Sequence, residues 1–111
     1  MIADALMAVL GVLDEPTAAQ VEIMVHGEAY ERPEARTALL SLSYDYARVS
    51  AQCVAAGLPD LGRVLSQIDT HLTRLADKTR GTGSDYVELI RLTQRLELEM
   101  SNAETAHGIT L

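Results

Sequence analysis

The chain has 111 residues, of which 48% are hydrophobic and only three are proline, a composition typical of one folded globular domain over residues 1–111. Its net charge is −7, and its first 34 residues hold seven acidic residues against a single arginine. This balance argues against sequence-independent binding to nucleic acid or to anionic lipid, because both require clustered positive charge.

The residue types available for the core favour helices. The chain contains neither Trp nor Phe, so its core must be built from aliphatic side chains, methionine and four tyrosines. These residues suit close helix packing better than sheet packing, and we predict an all-α fold. The single cysteine, Cys53, cannot form an intrachain disulfide and is expected to be a buried thiol. Since no signal-peptide pattern is found, we expect a cytoplasmic protein.

Two helices are predicted in the acidic N-terminal third. Residues 2–13 are almost entirely apolar but too few to span a bilayer, so they predict a packed helix that is buried on most sides. Pro16 suits the first turn of a second helix over residues 17–25. Residues 26–33 are interpreted as a connection, because Pro33 disfavours helical geometry at the residue before it.

The most informative segment is a predicted helix over residues 33–56, which carries two apolar stripes where a surface helix needs only one. The first stripe consists of Ala35, Leu39, Leu42, Tyr46, Val49, Cys53 and Ala56. The second consists of Leu40, Tyr44, Ala47, Ala51 and Val54. This helix is therefore predicted to have partners on two sides, either as the central helix of the fold or at an interface with another chain.

Two further helices follow. Gly57 ends the preceding helix, and residues 59–79 form an amphipathic helix with a single apolar stripe. That stripe consists of Leu61, Leu65, Ile68, Leu72 and Leu75. After a glycine-rich break, the last helix is predicted over residues 84–106.

The main stripe of the last helix consists of Tyr86, Leu89, Thr93, Leu96, Met100 and Ala103 and is widened by Ile90 and Leu92. Val87 and Leu98 fall off this stripe and form a spare apolar edge. Charges at helical spacing predict surface ion pairs between Glu88 and Arg91 and between Arg95 and Glu99. The near-heptad spacing of the successive segments predicts a left-handed antiparallel bundle of four to five helices.

Polar residues that could hold a metal ion are few. Glu104 and His107 have the Glu-x-x-His spacing found in di-metal helical bundles, but no second copy of this pattern supplies the other ligands. His26, Glu28, Glu31 and Glu34 form the densest polar cluster, for which solvated acids in a connecting segment are the simpler interpretation.

His71 lies at the edge of an apolar stripe, and Arg74 lies three residues after it. This turn resembles that of histidine phosphotransfer domains, in which a lysine lies three residues after the phosphorylated histidine and a glycine lies four residues after it. The resemblance covers one turn and implies phosphotransfer on His71, but Arg74 and Leu75 depart from that pattern. We interpret His71 as a half-buried, hydrogen-bonded boundary histidine.

The resulting functional prediction is a non-catalytic helical bundle that binds protein. It acts as a homodimer, or as a subunit, chaperone or inhibitor of another protein. An acidic antitoxin-like protein or an immunity protein would be an example of such an inhibitor. The predicted interface consists of Leu40, Tyr44, Ala47, Ala51, Val54, Val87 and Leu98. No activated nucleophile or phosphate-binding loop favours an enzyme, and no cofactor is predicted. The alternative is a metal-binding or small-molecule-binding bundle, with or without enzymatic activity, that uses the acidic and histidine cluster around residues 26–34.

Overall fold

The chain folds into helices. The computed structural model describes residues 1–13, 33–76 and 83–109, and within these ranges there are four helices and no strand. The helices are α1 (Ile2–Leu13), α2 (Pro33–Ala55), α3 (Pro59–Ala76) and α4 (Gly83–His107). The all-α prediction is confirmed. The helix predicted over residues 17–25 lies outside the described residues.

The helix boundaries follow the sequence signals closely. The first helix has the predicted bounds, α2 ends one residue earlier than predicted, and α4 begins one residue earlier and ends one residue later. The third helix begins at Pro59 as predicted, and its predicted last residues, 77–79, lie outside the described residues. Differences of one residue are usual where helix ends fray. None of these four helices is both long enough and apolar enough to cross a membrane.

Glycine ends two of the helices through left-handed backbone conformations. Gly57 follows α2 with φ of +82°, and the N–H of Leu58 donates to the carbonyl of Cys53 at 2.8 Å. Gly108 follows α4 with φ of +64°, and the N–H of Ile109 donates to the carbonyl of Glu104 at 2.9 Å. These are the six-to-one bonds of Schellman caps, which satisfy carbonyls at the helix ends.

The core is formed by one face of each helix. The described part of the first stripe of α2 is buried from Leu39 to Cys53, as predicted. The predicted stripe of α3 is buried throughout, and α4 contributes Leu89, Leu92, Leu96 and Met100. Thr93 is only half-buried, and its hydroxyl donates to the carbonyl of Leu89 at 2.8 Å. Leu92, at the edge of the predicted stripe, is buried in the core together with Leu96.

The first helix is exposed on one side only. Ala5, Leu6, Val9 and Val12 are buried, whereas Met7 is 58% exposed. The other exposed residues of α1 lie on the same side as Met7, and the remaining ones are half-buried. The exposure of the described residues therefore agrees with the prediction of burial on most sides.

The packing order of the helices places α3 between two neighbours. The most extensive contact joins α2 to α3, the next joins α3 to α4, and α1 packs on α2. Small and hydroxyl-bearing residues form the seam between α2 and α3. The hydroxyl of Ser50 donates to the carbonyl of Gly62 at 2.6 Å, and a Cβ at Gly62 would lie only 2.5 Å from Val54 Cγ2.

A polar cluster lies further along the same seam. The buried Ser43 hydroxyl donates to Asp69 Oδ1 and lies 2.9 Å from the hydroxyl of Thr73. Thr73 also donates to the backbone carbonyl of Asp69 at 3.0 Å. Because a buried hydroxyl without a partner costs free energy, this cluster favours one register of α2 against α3.

Candidate functional site

The second stripe of α2 lies in solvent. All five of its residues are exposed, including Tyr44 at 69% and Val54 at 56% of their full area. We call this set the apolar face of α2; it consists of Leu40, Tyr44, Ala47, Ala51 and Val54. The helix neighbours of α2 within the described residues therefore do not bury its second stripe, and the position of α2 as a fully enclosed central helix is wrong for this part of the chain.

The seam between α2 and α3 explains why this face points outward. Ser43 and Ser50, which contact α3, lie between the core stripe and the apolar face on the helix surface. The third helix packs on those serines and on the core stripe. It approaches the apolar face only at Val54, beside Gly62, and leaves the remainder to solvent.

The exposed surface of α2 is poor in charge. Between Thr37 and Ala55 ten side chains are exposed, and Arg48 is the single charged one among them. Arg48 lies 4.0 Å from the half-buried Asp45, so the pair carries no net charge. Three of the eight exposed side chains of α3 are charged. Apolar surface with few charges and an exposed tyrosine is the composition of interface cores.

The other two predicted interface residues lie on a different helix. Val87 and Leu98 are 61% and 56% exposed on α4. Eleven residues make close to three full turns, so both side chains project from the same side of that helix. Since α4 packs mainly on α3, the structure distributes the predicted interface over two helices rather than one continuous stripe.

The predicted polar ligands are not assembled by the described residues. Glu104 is half-buried and His107 exposed near the end of α4, while His26, Glu28 and Glu31 lie outside the described ranges. Among the residues that the structure describes, no three His, Cys, Asp or Glu side chains group closely enough to hold a metal ion. Metal binding by the 26–34 segment stays a prediction from sequence.

Two clefts follow the groove between α3 and α4. One has a volume of about 230 Å³ at the Gly57 turn, where Asp60, Glu99 and His107 are among its lining residues. The other has a volume of about 320 Å³ and brings Arg63 of α3 opposite Arg91 and Arg95 of α4. Sequence analysis did not predict this arginine cleft. The spacing of Arg91 and Arg95 places both on one face of a helix, but only the packing brings Arg63 to it.

Both predicted ion pairs of α4 are present. Arg91 Nε and Nη2 donate to Glu88 Oε2 at 3.0 and 2.6 Å, and Arg95 Nε donates to Glu99 Oε1 at 3.0 Å. The hydrogen bond from Arg91 lowers the pKa of Glu88, and the charges of Arg91 and His71 lower it further. His71 is half-buried beside α4, as predicted for a boundary histidine.

Cys53 is a buried thiol, as predicted. Its side chain is fully enclosed in the core stripe of α2, and burial raises its pKa from 9.0 to about 11. The thiolate, which is the reactive form, is therefore suppressed at neutral pH. This position does not suit a nucleophile or a redox centre.

Comparisons of the chain with protein families, with curated proteins and with solved structures return no match. The functional argument therefore depends on the surfaces described above.

Proposed function

We propose that this protein is a non-catalytic helical bundle that binds another protein chain through the apolar face of α2. The observation that carries the proposal is the exposure of all five residues of this face, on a helix surface that has a single exposed charge between Thr37 and Ala55. Burying such side chains against a partner removes apolar area from water, which is the main favourable term in protein association.

The occupant that best fits this face is a second copy of the chain. Ala47 and Ala51 lie between Tyr44 and Val54, and Leu40 lies one turn beyond Tyr44 at the N-terminal end of the face. In an antiparallel two-fold pairing, each alanine lies opposite the other alanine of the second copy, and each Tyr44 lies opposite a Val54. Small residues at the centre permit close approach, and opposed helix dipoles favour this orientation.

We also propose the finer arrangement of the bundle from the same contacts. Ser50 meets Gly62 while Ser43, seven residues earlier, meets Asp69, seven residues later. This order is expected for an antiparallel α2 and α3, and the heptad-like stripes favour a left-handed bundle with α2 at an interface.

A different protein is the alternative occupant of the face. An antitoxin-like or immunity protein would use the acidic residues 14–34 to cover a basic partner, with the apolar face of α2 adding buried area. Metal or small-molecule binding by the cluster around residues 26–34 is a separate alternative, which metal analysis of protein purified without chelator distinguishes.

The test is a charge inserted into the face. Ala47→Glu buries an unpaired carboxylate in the proposed interface and is expected to shift the protein from dimer to monomer in native mass spectrometry. The matched control is Ala38→Glu, because Ala38 is an exposed alanine of the same helix on the side away from the apolar face. This control is expected to remain dimeric.

Circular dichroism and thermal unfolding accompany both variants, so that loss of assembly is separated from loss of folding. A folded Ala47→Glu variant with the oligomeric mass of the unmodified protein would overturn the proposal for this face. A monomer in complex with a different protein would retain the binding function and replace the second copy as its occupant.

A further inference from the structure

The arginine cleft between α3 and α4 is a second surface with a chemistry of its own. Its two walls carry guanidinium groups, Arg63 on one side and Arg91 and Arg95 on the other. Its volume of about 320 Å³ stands at the small end of the range of about 300–1,000 Å³ seen in ligand pockets. Val64 and Leu92, both buried, form its floor.

Each of the three arginines has a carboxylate of its own helix beside it. Glu88 and Glu99 accept hydrogen bonds from Arg91 and Arg95, and Asp60 Oδ1 lies 3.9 Å from Arg63 Nη1. Each carboxylate lies three or four residues from its arginine, about one turn of the helix. The hydrogen-bonded side chains of Arg91 and Arg95 therefore lose less rotamer freedom when a ligand binds.

The ion pairs leave most guanidinium donors unused. A guanidinium has five N–H donors, and the hydrogen bonds within the helix engage two of Arg91 and one of Arg95. The distance of 3.9 Å between Arg63 Nη1 and Asp60 Oδ1 is too long for a hydrogen bond. The remaining donors have the planar, forked geometry that binds carboxylate and phosphate oxygens in pairs.

We propose that this cleft binds a small oxyanion with two or more negative charges, of the phosphate or polycarboxylate class, bridged between Arg63 on α3 and Arg91 and Arg95 on α4. The anion accepts hydrogen bonds from the remaining guanidinium donors, and Arg63 exchanges its long contact with Asp60 for direct bonds to the anion. Asp60 and Glu99 also line the cleft, and the chain carries −7 overall, so binding is of modest affinity and depends on paired short-range bonds.

The experiment is an NMR titration of the intact protein with inorganic pyrophosphate and, separately, with citrate at constant ionic strength. We expect saturable shifts of the Arg63, Arg91 and Arg95 side-chain resonances, with a dissociation constant of about 1 mM. The two probes distinguish phosphate from carboxylate as the source of the oxyanion. Saturation by either one supports the proposal, and saturation by neither overturns it.

Three variants make the test specific. Arg63→Gln and Arg91→Lys are expected to weaken binding about tenfold, the second because lysine keeps the charge but loses the paired donors. The matched control is Arg48→Gln, since Arg48 is also exposed and paired with an aspartate three residues earlier but lies on α2, away from the cleft. Equal weakening by Arg63→Gln and Arg48→Gln, with no weakening by the charge-conserving Arg91→Lys, would show general charge attraction and overturn the site. The outcome is independent of the apolar face of α2, because none of these side chains belongs to it.

Discussion

Replacing Gly62 with alanine adds a methyl group where α2 and α3 meet. A Cβ at this position would lie 2.5 Å from Val54 Cγ2 and 3.2 Å from the carbonyl oxygen of Ser50. Neither neighbour moves freely, because valine strongly prefers one rotamer in a helix and the carbonyl belongs to the backbone. The Ser50 hydroxyl would also lose the geometry of its bond to the Gly62 carbonyl.

Overpacking of this kind costs about 1–3 kcal/mol, whereas replacing glycine by alanine inside a helix gains about 1 kcal/mol. We therefore expect Gly62→Ala to lower the free energy of unfolding by about 1 kcal/mol. The matched control is Gly11→Ala in α1, where, among the described residues, no atom beyond the adjacent backbone of the helix lies within 4 Å of the added Cβ. Gly11→Ala has the gain in helix propensity without a steric clash, so it is expected to raise the free energy of unfolding by about 0.5–1 kcal/mol.

Urea unfolding followed by circular dichroism, at one fixed protein concentration, measures both variants. The difference between them isolates the packing cost at the seam. If Gly62→Ala stabilised the protein as much as Gly11→Ala, the close approach of α2 and α3 at this residue would be refuted. Adding Val54→Ala to Gly62→Ala removes the nearer contact and is expected to restore part of the lost stability.

Three further predictions concern α2. Ser43→Ala removes a buried hydroxyl bonded to two side chains of α3 and is expected to cost about 1–2 kcal/mol in urea unfolding; Thr70→Ala, which loses one exposed bond within its own helix, is expected to change stability by no more than about 0.5 kcal/mol. Burial raises the pKa of Cys53 from 9.0 to about 11, so the unfolded state loses the thiol proton at a lower pH than the folded state, and the free energy of unfolding falls as pH rises from about 9 to about 11. The same pH dependence of the free energy of unfolding in Cys53→Ala would contradict this. In the two-fold pairing, a mixture of Tyr44→Cys protein and Val54→Cys protein is expected to form a disulfide across the interface. Tyr44→Cys protein alone is not, because the two copies of residue 44 then lie about 15 Å apart along the helix axis, the rise of ten residues. A ready disulfide in Tyr44→Cys alone would indicate a parallel pairing instead.

Periodicity and capping signals sufficed for the four described helices and for most residues of their inner faces. Gly57 and Gly108 end helices where the sequence predicts, because their left-handed conformations are ones that other residues rarely adopt. The apolar stripe of α3 is buried in full, since one stripe on an amphipathic helix has one possible inner side.

Features that depend on how two helices approach each other could not be predicted in the same way. Two apolar stripes on one helix do not show which neighbour covers which stripe, and only the packing of α3 on Ser43 and Ser50 leaves the second stripe exposed. The arginine cleft is likewise a property of two helices together. Gly62 lies inside a helix pattern without a visible role until Val54 and Ser50 are placed beside it.

The neutrality of the apolar face has a consequence for the ionic strength at which the protein assembles. Two copies that each carry −7 repel each other at long range, while their contact surfaces attract without regard to charge. Added salt screens the repulsion beyond a Debye length of about 8 Å at physiological ionic strength and leaves burial of apolar area in place. Self-association through α2 should therefore strengthen as salt is added, whereas capture of a basic partner by the acidic N-terminal third should weaken, so the direction of the salt response alone separates the two kinds of partner.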